Sequence, residues 1–91
     1  LILASRKLDE KYEVEIKDEA MDALRRLPRA DRREIGYRLH LLQDDFSGDI
    51  KKLTGSKIDY RLRVGNYRVL FELAGRRIIV YTLGLRKDIY R

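Results

Sequence analysis

The chain has 91 residues, 44% of them hydrophobic, and carries 21 Lys/Arg against 15 Asp/Glu for a formal charge of +6. That length suits one domain with one modest core, burying roughly 60–65% of the surface an unfolded chain exposes. The absence of cysteine excludes a disulfide framework and a zinc–thiolate site, and the apolar opening LILAS, without a basic flank, is too short for a secretory segment or a membrane span, so a cytoplasmic chain is expected.

Residues 1–11 show no sustained period and are expected to be a tail or irregular lead-in, with a single domain over 12–91. Tyr12, Val14 and Ile16 alternate with Glu13, Glu15 and Lys17, the two-residue period of a strand with one wet face. Asp18 is placed to cap a helix and Glu19 to favour its first turn. Ala20, Ala23, Leu24 and Leu27 form the apolar stripe of that helix, and Pro28 ends it. Asp31, with Glu34 three residues on, makes an acidic capping box that predicts the start of a second helix. Its core stripe is Ile35, Leu39, Leu42 and Phe46, and fraying is expected at Asp44 and Asp45, whose carboxylates oppose the negative end of the dipole. Ser47, Gly48 and Asp49 break the pattern.

The remainder reads as antiparallel sheet. Tyr60, Leu62 and Val64 alternate with Arg61 and Arg63, Gly65 and Asn66 form a two-residue hairpin loop, and Tyr67, Val69, Phe71 and Leu73 return. Ala74 and Gly75 offer a second tight turn, and residues 78–83 a last strand that ends at Thr82, Leu83 and Gly84. One strand, two helices and a three-stranded meander predict an α+β fold: an N-terminal strand and two helices packed on one face of a mainly antiparallel twisted sheet.

The charge is divided unevenly along these elements. Residues 1–50 hold 10 Lys/Arg against 12 Asp/Glu, and residues 51–91 hold 11 against 3. Such a one-sided field concentrates polyanions, commonly RNA or DNA, although a solubilising surface or a docking face for an acidic protein would carry the same charge. The hairpin loop places Val64 opposite Tyr67, Leu62 opposite Val69 and Tyr60 opposite Phe71 on the core face. On the other face Arg63 lies opposite Arg68, and Arg61 opposite Leu70. A turn at Ala74 and Gly75 would further set Arg68 opposite Tyr81, Leu70 beside Ile79 and Glu72 beside Arg77. Opposed like charges destabilise a sheet by about 0.2–1 kcal/mol, and an anion between the two guanidinium forks removes the repulsion. The competing reading is a solvated face on which arginine stems cover apolar area. Beyond the last strand, Arg86 can reach the same place and Tyr90 can stack on a splayed base or simply pin the chain end.

Three stretches carry a resemblance: K-L-x-G at residues 52–55, Y-R-L-R-x-G-x-Y-R at 60–68, and a terminal G-x-R followed by a tyrosine. With the order strand, helix, helix, meander, they resemble the RelE toxins of the RelE/ParE toxin–antitoxin superfamily, over residues 12–90. The resemblance implies a RelE-like, microbial-ribonuclease-like domain acting as a type II toxin. It further implies cleavage of messenger RNA in the ribosomal A site by attack of a ribose 2′-hydroxyl on the adjacent phosphate, with no metal or other cofactor. By the same resemblance, Arg61 and Arg63 hold the RNA and assist loss of the 2′-hydroxyl proton, Arg68 stabilises the phosphorane, Arg86 lies beside the leaving oxygen and Tyr90 orients a base. Lys51, Lys52, Lys57, Tyr81 and Lys87 are expected to bind RNA or phosphate around them. The implied partners are a RelB-like antitoxin, the ribosome with its message, and operator DNA reached indirectly through the antitoxin complex, with no membrane.

This chain departs from well-studied relatives in having arginine rather than lysine at Arg61 and Arg63, and Thr54 where they carry another arginine. A guanidinium, with a pKa above about 12, is a poor proton acceptor, so Arg63 is expected to act electrostatically or the base to lie elsewhere. His40, on the second helix, is expected to be structural. The alternative function on the same fold is a ParE-like, non-catalytic inhibitor of DNA gyrase, and a third is a basic face serving mainly to receive an antitoxin in a DNA-regulating complex.

Overall fold

A computed structural model describes residues 2–3, 11–55 and 58–89. Along the chain run β1 (Ile2–Leu3), β2 (Glu13–Ile16), α1 (Asp18–Arg25), α2 (Arg29–Asp45), β3 (Asp49–Lys52), β4 (Tyr60–Val64), β5 (Tyr67–Ala74), β6 (Arg77–Leu85) and α3 (Arg86–Ile89). The strands form one sheet in the order β1-β2-β6-β5-β4-β3. Neighbours are antiparallel except β2 and β6, which run parallel.

This is the α+β architecture that the periodicity predicts, with two strands added. Ile2 and Leu3 are not irregular: they pair with Glu15 and Val14 and so cover the backbone edge that β2 would leave open. Residues 4–10 of the expected lead-in lie outside the described residues. The second addition, β3, pairs with β4 through Asp49↔Arg63, Ile50↔Leu62, Lys51↔Arg61 and Lys52↔Tyr60. Gly48 allows this docking. Its φ is +138°, and a Cβ there would lie 2.9 Å from Leu62 Cδ1, so both the backbone and the space require glycine.

The core forms where one face of the sheet meets two helices. Val14, Ile16, Leu62, Phe71, Ile78 and Val80 are at most 2% exposed and pack with Ala20 of α1 and with Ile35, Leu39 and Leu42 of α2. Both helices therefore lie on the same face. Among the described residues, no helix is long and apolar enough to cross a membrane.

The helix boundaries differ from the sequence expectation for local reasons. Asp18 is the first helical residue of α1, not its cap. Lys17 occupies the cap position in extended conformation without a side-chain bond to the helix, and its N–H is donated to Val80 O at 2.9 Å. Asp18 and Glu19 thus remain in the first turn, where their charge favours the dipole. Helix α2 starts at Arg29, before the expected capping box, because Pro28 supplies an extended residue (φ −54°, ψ 149°) whose carbonyl accepts the Arg32 N–H at 3.0 Å. Asp31 is therefore inside the helix. Its carboxylate accepts the Tyr67 hydroxyl at 2.7 Å, tying the first turn to β5, and this bond holds the Tyr67 hydroxyl above its ordinary pKa.

The far end of α2 does not fray at Asp44 and Asp45. The helix runs through both and stops at Phe46, a left-handed residue (φ 56°) whose N–H returns to Leu42 O at 3.1 Å. That conformation costs a non-glycine residue about 1–2 kcal/mol. Ring contacts offset it: the Phe46 centroid lies 5.3 Å from Tyr12, 5.6 Å from Tyr60 and 5.8 Å from Phe71.

The β4–β5 hairpin has the expected register, including Arg63↔Arg68 and Arg61↔Leu70. The β5–β6 hairpin does not. Ala74 pairs with Arg77, so the loop is Gly75 and Arg76, with Gly75 at φ +61° in the first loop position. Moving the loop by one residue moves every partner by two, which preserves the faces and changes the neighbours. A register shift then follows between Leu70 and Phe71: Phe71 pairs with Val80 and Leu70 with Thr82, leaving Tyr81 as the extra residue of a bulge. Strand β6 also continues past the expected end to Leu85, where α3 begins.

Candidate nucleic-acid interface

The sheet face turned away from α1 and α2 carries the charged residues of β3, β4 and β5. Side chains alternate across a strand, so the pairing that sends Ile50, Leu62 and Val69 to the core sends Asp49, Lys51, Arg61, Arg63 and Arg68 to this face. There Lys51, Arg61, Arg63 and Arg68 join Leu53 and Arg86 in lining a basin of about 500 Å³. Four of the five expected catalytic residues thus meet at one place. Tyr90, the fifth, lies outside the described residues.

Each arginine is held differently. Asp49 bridges two of them: its Oδ1 accepts from Arg61 Nη1 at 3.4 Å and its Oδ2 pairs with Arg63 Nε at 2.5 Å. The Arg61 side chain is only 15% exposed, against 57% for Arg63, and Leu70, its cross-strand partner, is buried beneath the same face. Arg68 Nη1 donates to the carbonyls of Gly65 and Tyr67, both at 2.9 Å, which fixes the guanidinium against the hairpin. Gly84 pairs across from Arg68 and places no side chain there. Arg86 is set by its backbone, since its N–H is donated to Asn66 O at 2.9 Å and the β4–β5 loop therefore anchors the start of α3.

The remaining expected contacts separate into three groups. Lys51 is in the basin, directly across from Arg61. Lys87 lies beside it, lining a recess with Asn66, Leu85 and Arg86, and Lys57 is outside the described residues. Lys52 and Tyr81 stand apart from the basin. Lys52 pairs with Tyr60, whose ring packs on the core, so it belongs to the opposite side of β3 from Lys51. Tyr81 does not face Arg68, because the shifted loop and the bulge put Gly84 there. Its hydroxyl donates instead to Glu72 Oε2 at 2.6 Å, a bond that raises its pKa.

On the β2–β6 half of the sheet Glu15 is shared between two cations. Glu15 Oε2 pairs with Lys17 at 2.9 Å and Glu15 Oε1 with Arg77 at 3.4 Å. The hydrogen bond from Lys17 holds the Glu15 carboxyl below its ordinary pKa, and Glu15 in turn raises that of Lys17. The cations that line the basin belong to β3, β4, β5 and α3. Five cations and one bridging carboxylate around an open basin attract an anion, and planar forks on adjacent strands suit a phosphodiester. Asp49 is the residue of this arginine cluster that sequence reasoning missed. The alternation of Asp49, Ile50 and Lys51 was the available signal.

Fold and site define a small α+β domain with a cation-rich sheet face. The comparisons narrow this. No protein-family model matches the chain. Toxin RelE3 of Methanocaldococcus jannaschii is 47% identical over 47 residues, so the match spans 52% of this chain and about half (53%) of the length of that curated relative. A chain of the RelB–RelE antitoxin–toxin complex from Methanococcus jannaschii is 32% identical with a TM-score of 0.70, covering 82% of this chain and 93% of its own. A chain of the archaeal RelE–RelB complex from Pyrococcus horikoshii is 30% identical with a TM-score of 0.71, covering 84% and 96% respectively. The chain belongs to the RelE toxin family.

Proposed function

We propose that this protein is the toxin of a type II toxin–antitoxin pair and that it cleaves messenger RNA on the ribosome. The observation that carries the proposal is the convergence of Lys51, Arg61, Arg63, Arg68 and Arg86 on one basin of the face that α1 and α2 leave open. In this reading residues 12–91 act as one cytoplasmic domain, and a phosphodiester of the message lies across the basin. The ribose 2′-oxygen attacks the adjacent phosphorus, the bond to the 5′-oxygen of the next nucleotide breaks, and the products are a 2′,3′-cyclic phosphate and a 5′-hydroxyl. Arg61 and Arg63 favour loss of the 2′-hydroxyl proton to solvent by stabilising the developing alkoxide, Arg68 stabilises the extra charge on the phosphorane, and Arg86 stabilises the leaving oxygen. Tyr90 would stack on a neighbouring base, with Lys51 and Lys87 binding flanking phosphates. No step requires a metal or another cofactor.

The solved relatives crystallised as RelB–RelE complexes support a RelB-like antitoxin as the partner of this chain. An acidic or amphipathic antitoxin segment would cover the basin or displace the C-terminal residues, and the pair would reach operator DNA through the antitoxin. Brief expression followed by mapping of messenger ends tests the proposal. New ends within codons are expected from wild type and not from Arg86→Ala, while intact messages with DNA-damage signalling would favour a ParE-like gyrase inhibitor. Co-purification with the product of the neighbouring reading frame tests the partner.

A further inference from the structure

We infer that Asp49 is a positioning residue: a counter-anion that holds Arg61 and Arg63 in the free protein and yields them to the RNA phosphodiester. The inference rests on the nuclease reading and deepens it. Three observations carry it. The register places Asp49 directly across from Arg63, and its two carboxylate oxygens are divided between Arg61 and Arg63. Gly48 fixes the start of β3 against Leu62, so Asp49 is delivered to that position by the backbone. Asp49 also lies outside the basin itself. It lines an adjoining cavity of about 540 Å³ that shares Arg63 and Arg68 with the basin.

A carboxylate and a phosphodiester both present two oxygens to a guanidinium fork, so one can replace the other without rebuilding the donor arrangement. Asp49 therefore does for the empty site what the substrate does for the occupied one, offsetting the repulsion among Arg61, Arg63 and the opposed Arg68. Its position beside the basin lets it hold the arginines without blocking the path of the RNA. Both oxygens are engaged by guanidinium donors, which makes Asp49 a poor acceptor for the 2′-hydroxyl proton. Alignment before binding keeps the donors in place for the phosphate, and the negative charge near the incoming phosphate weakens binding.

The test compares wild type, Asp49→Asn and Asp49→Glu. Cleavage of ribosome-bound message gives kcat and KM, binding of a 2′-O-methyl RNA gives Kd, and thermal melting reports folding. Removing the charge is expected to tighten Kd and lower KM by roughly threefold to tenfold, the size of one unit charge about 7 Å away in a solvated site. The same variant is expected to leave kcat within about twofold of wild type, because the bound phosphodiester has by then taken the place of the carboxylate. Asp49→Glu, which keeps the charge and the two oxygens, is expected to restore Kd and KM toward wild type. An unchanged Kd in Asp49→Asn would overturn the inference, as would a fall in rate that follows lost folded protein with no change in KM. If wild type left the message intact, the nuclease reading would fail by itself, and the Kd comparison would still decide whether Asp49 competes with phosphate.

Discussion

Raising the salt concentration should weaken RNA binding by an amount that follows from the cations around the basin. Lys51, Arg61, Arg63, Arg68 and Arg86 line it, and each cation that neutralises a phosphate of single-stranded nucleic acid contributes about 0.7 to the slope of log K against log salt. Engagement of all five gives a slope of about −3.5, so moving from 50 to 200 mM KCl should weaken binding by roughly 100-fold. Arg68→Ala should reduce the slope to about −2.8 and the loss to roughly 50-fold. Arg77 is the control. It lies on the β2–β6 half, paired with Glu15 at 3.4 Å, and Arg77→Ala should leave the slope unchanged. Fluorescence anisotropy with a 2′-O-methyl RNA, which cannot be cleaved, measures all three proteins. A wild-type slope shallower than about −1, or an Arg77→Ala effect equal to that of Arg68→Ala, would refute the assignment of the binding face.

Gly48→Ala should destabilise the domain by about 1–3 kcal/mol, because it combines a strained backbone with a contact too close to a core side chain; urea denaturation reads this directly, and an unchanged midpoint would contradict the requirement for glycine at φ +138°. Tyr67→Phe should lower stability at neutral pH and lose that effect at alkaline pH. The folded-state pKa of Tyr67 is raised by its bond to Asp31, so this contribution is fully present below the ordinary tyrosine pKa and is lost as pH rises through the folded value. Denaturation curves from neutral to alkaline pH should therefore converge for wild type and Tyr67→Phe, and curves that diverge would count against the bond.

The β4–β5 hairpin was legible because two period-two runs flank an unambiguous Gly-Asn loop, and the opposed Arg63 and Arg68 follow from that loop alone. β3 was hidden because it has one apolar residue among three charged ones and sits at the sheet edge, where charge is ordinary and the pattern is short. Asp49 went with it. The β5–β6 register was ambiguous because Ala74, Gly75 and Arg76 offer two positions for one loop. The bulge at Tyr81 depends on how β6 pairs with β2 and β5 together, which no local pattern records. Pro28 reads equally well as the end of α1 and the entry to α2, and the packing of Phe46 decided where α2 stops. For Arg86, resemblance supplied the role and the bond to the hairpin loop shows how the side chain is brought to the basin.

Translation with purified ribosomes tests the central claim most directly, with wild-type protein or Arg68→Ala added and both ends of the message mapped. Wild type should produce new ends within codons, and Arg68→Ala should slow their appearance by about 10²–10³, equivalent to about 2.7–4 kcal/mol of transition-state stabilisation. A message left intact by wild type, or cut equally fast by Arg68→Ala, would contradict the assignment of the arginine basin as the catalytic site.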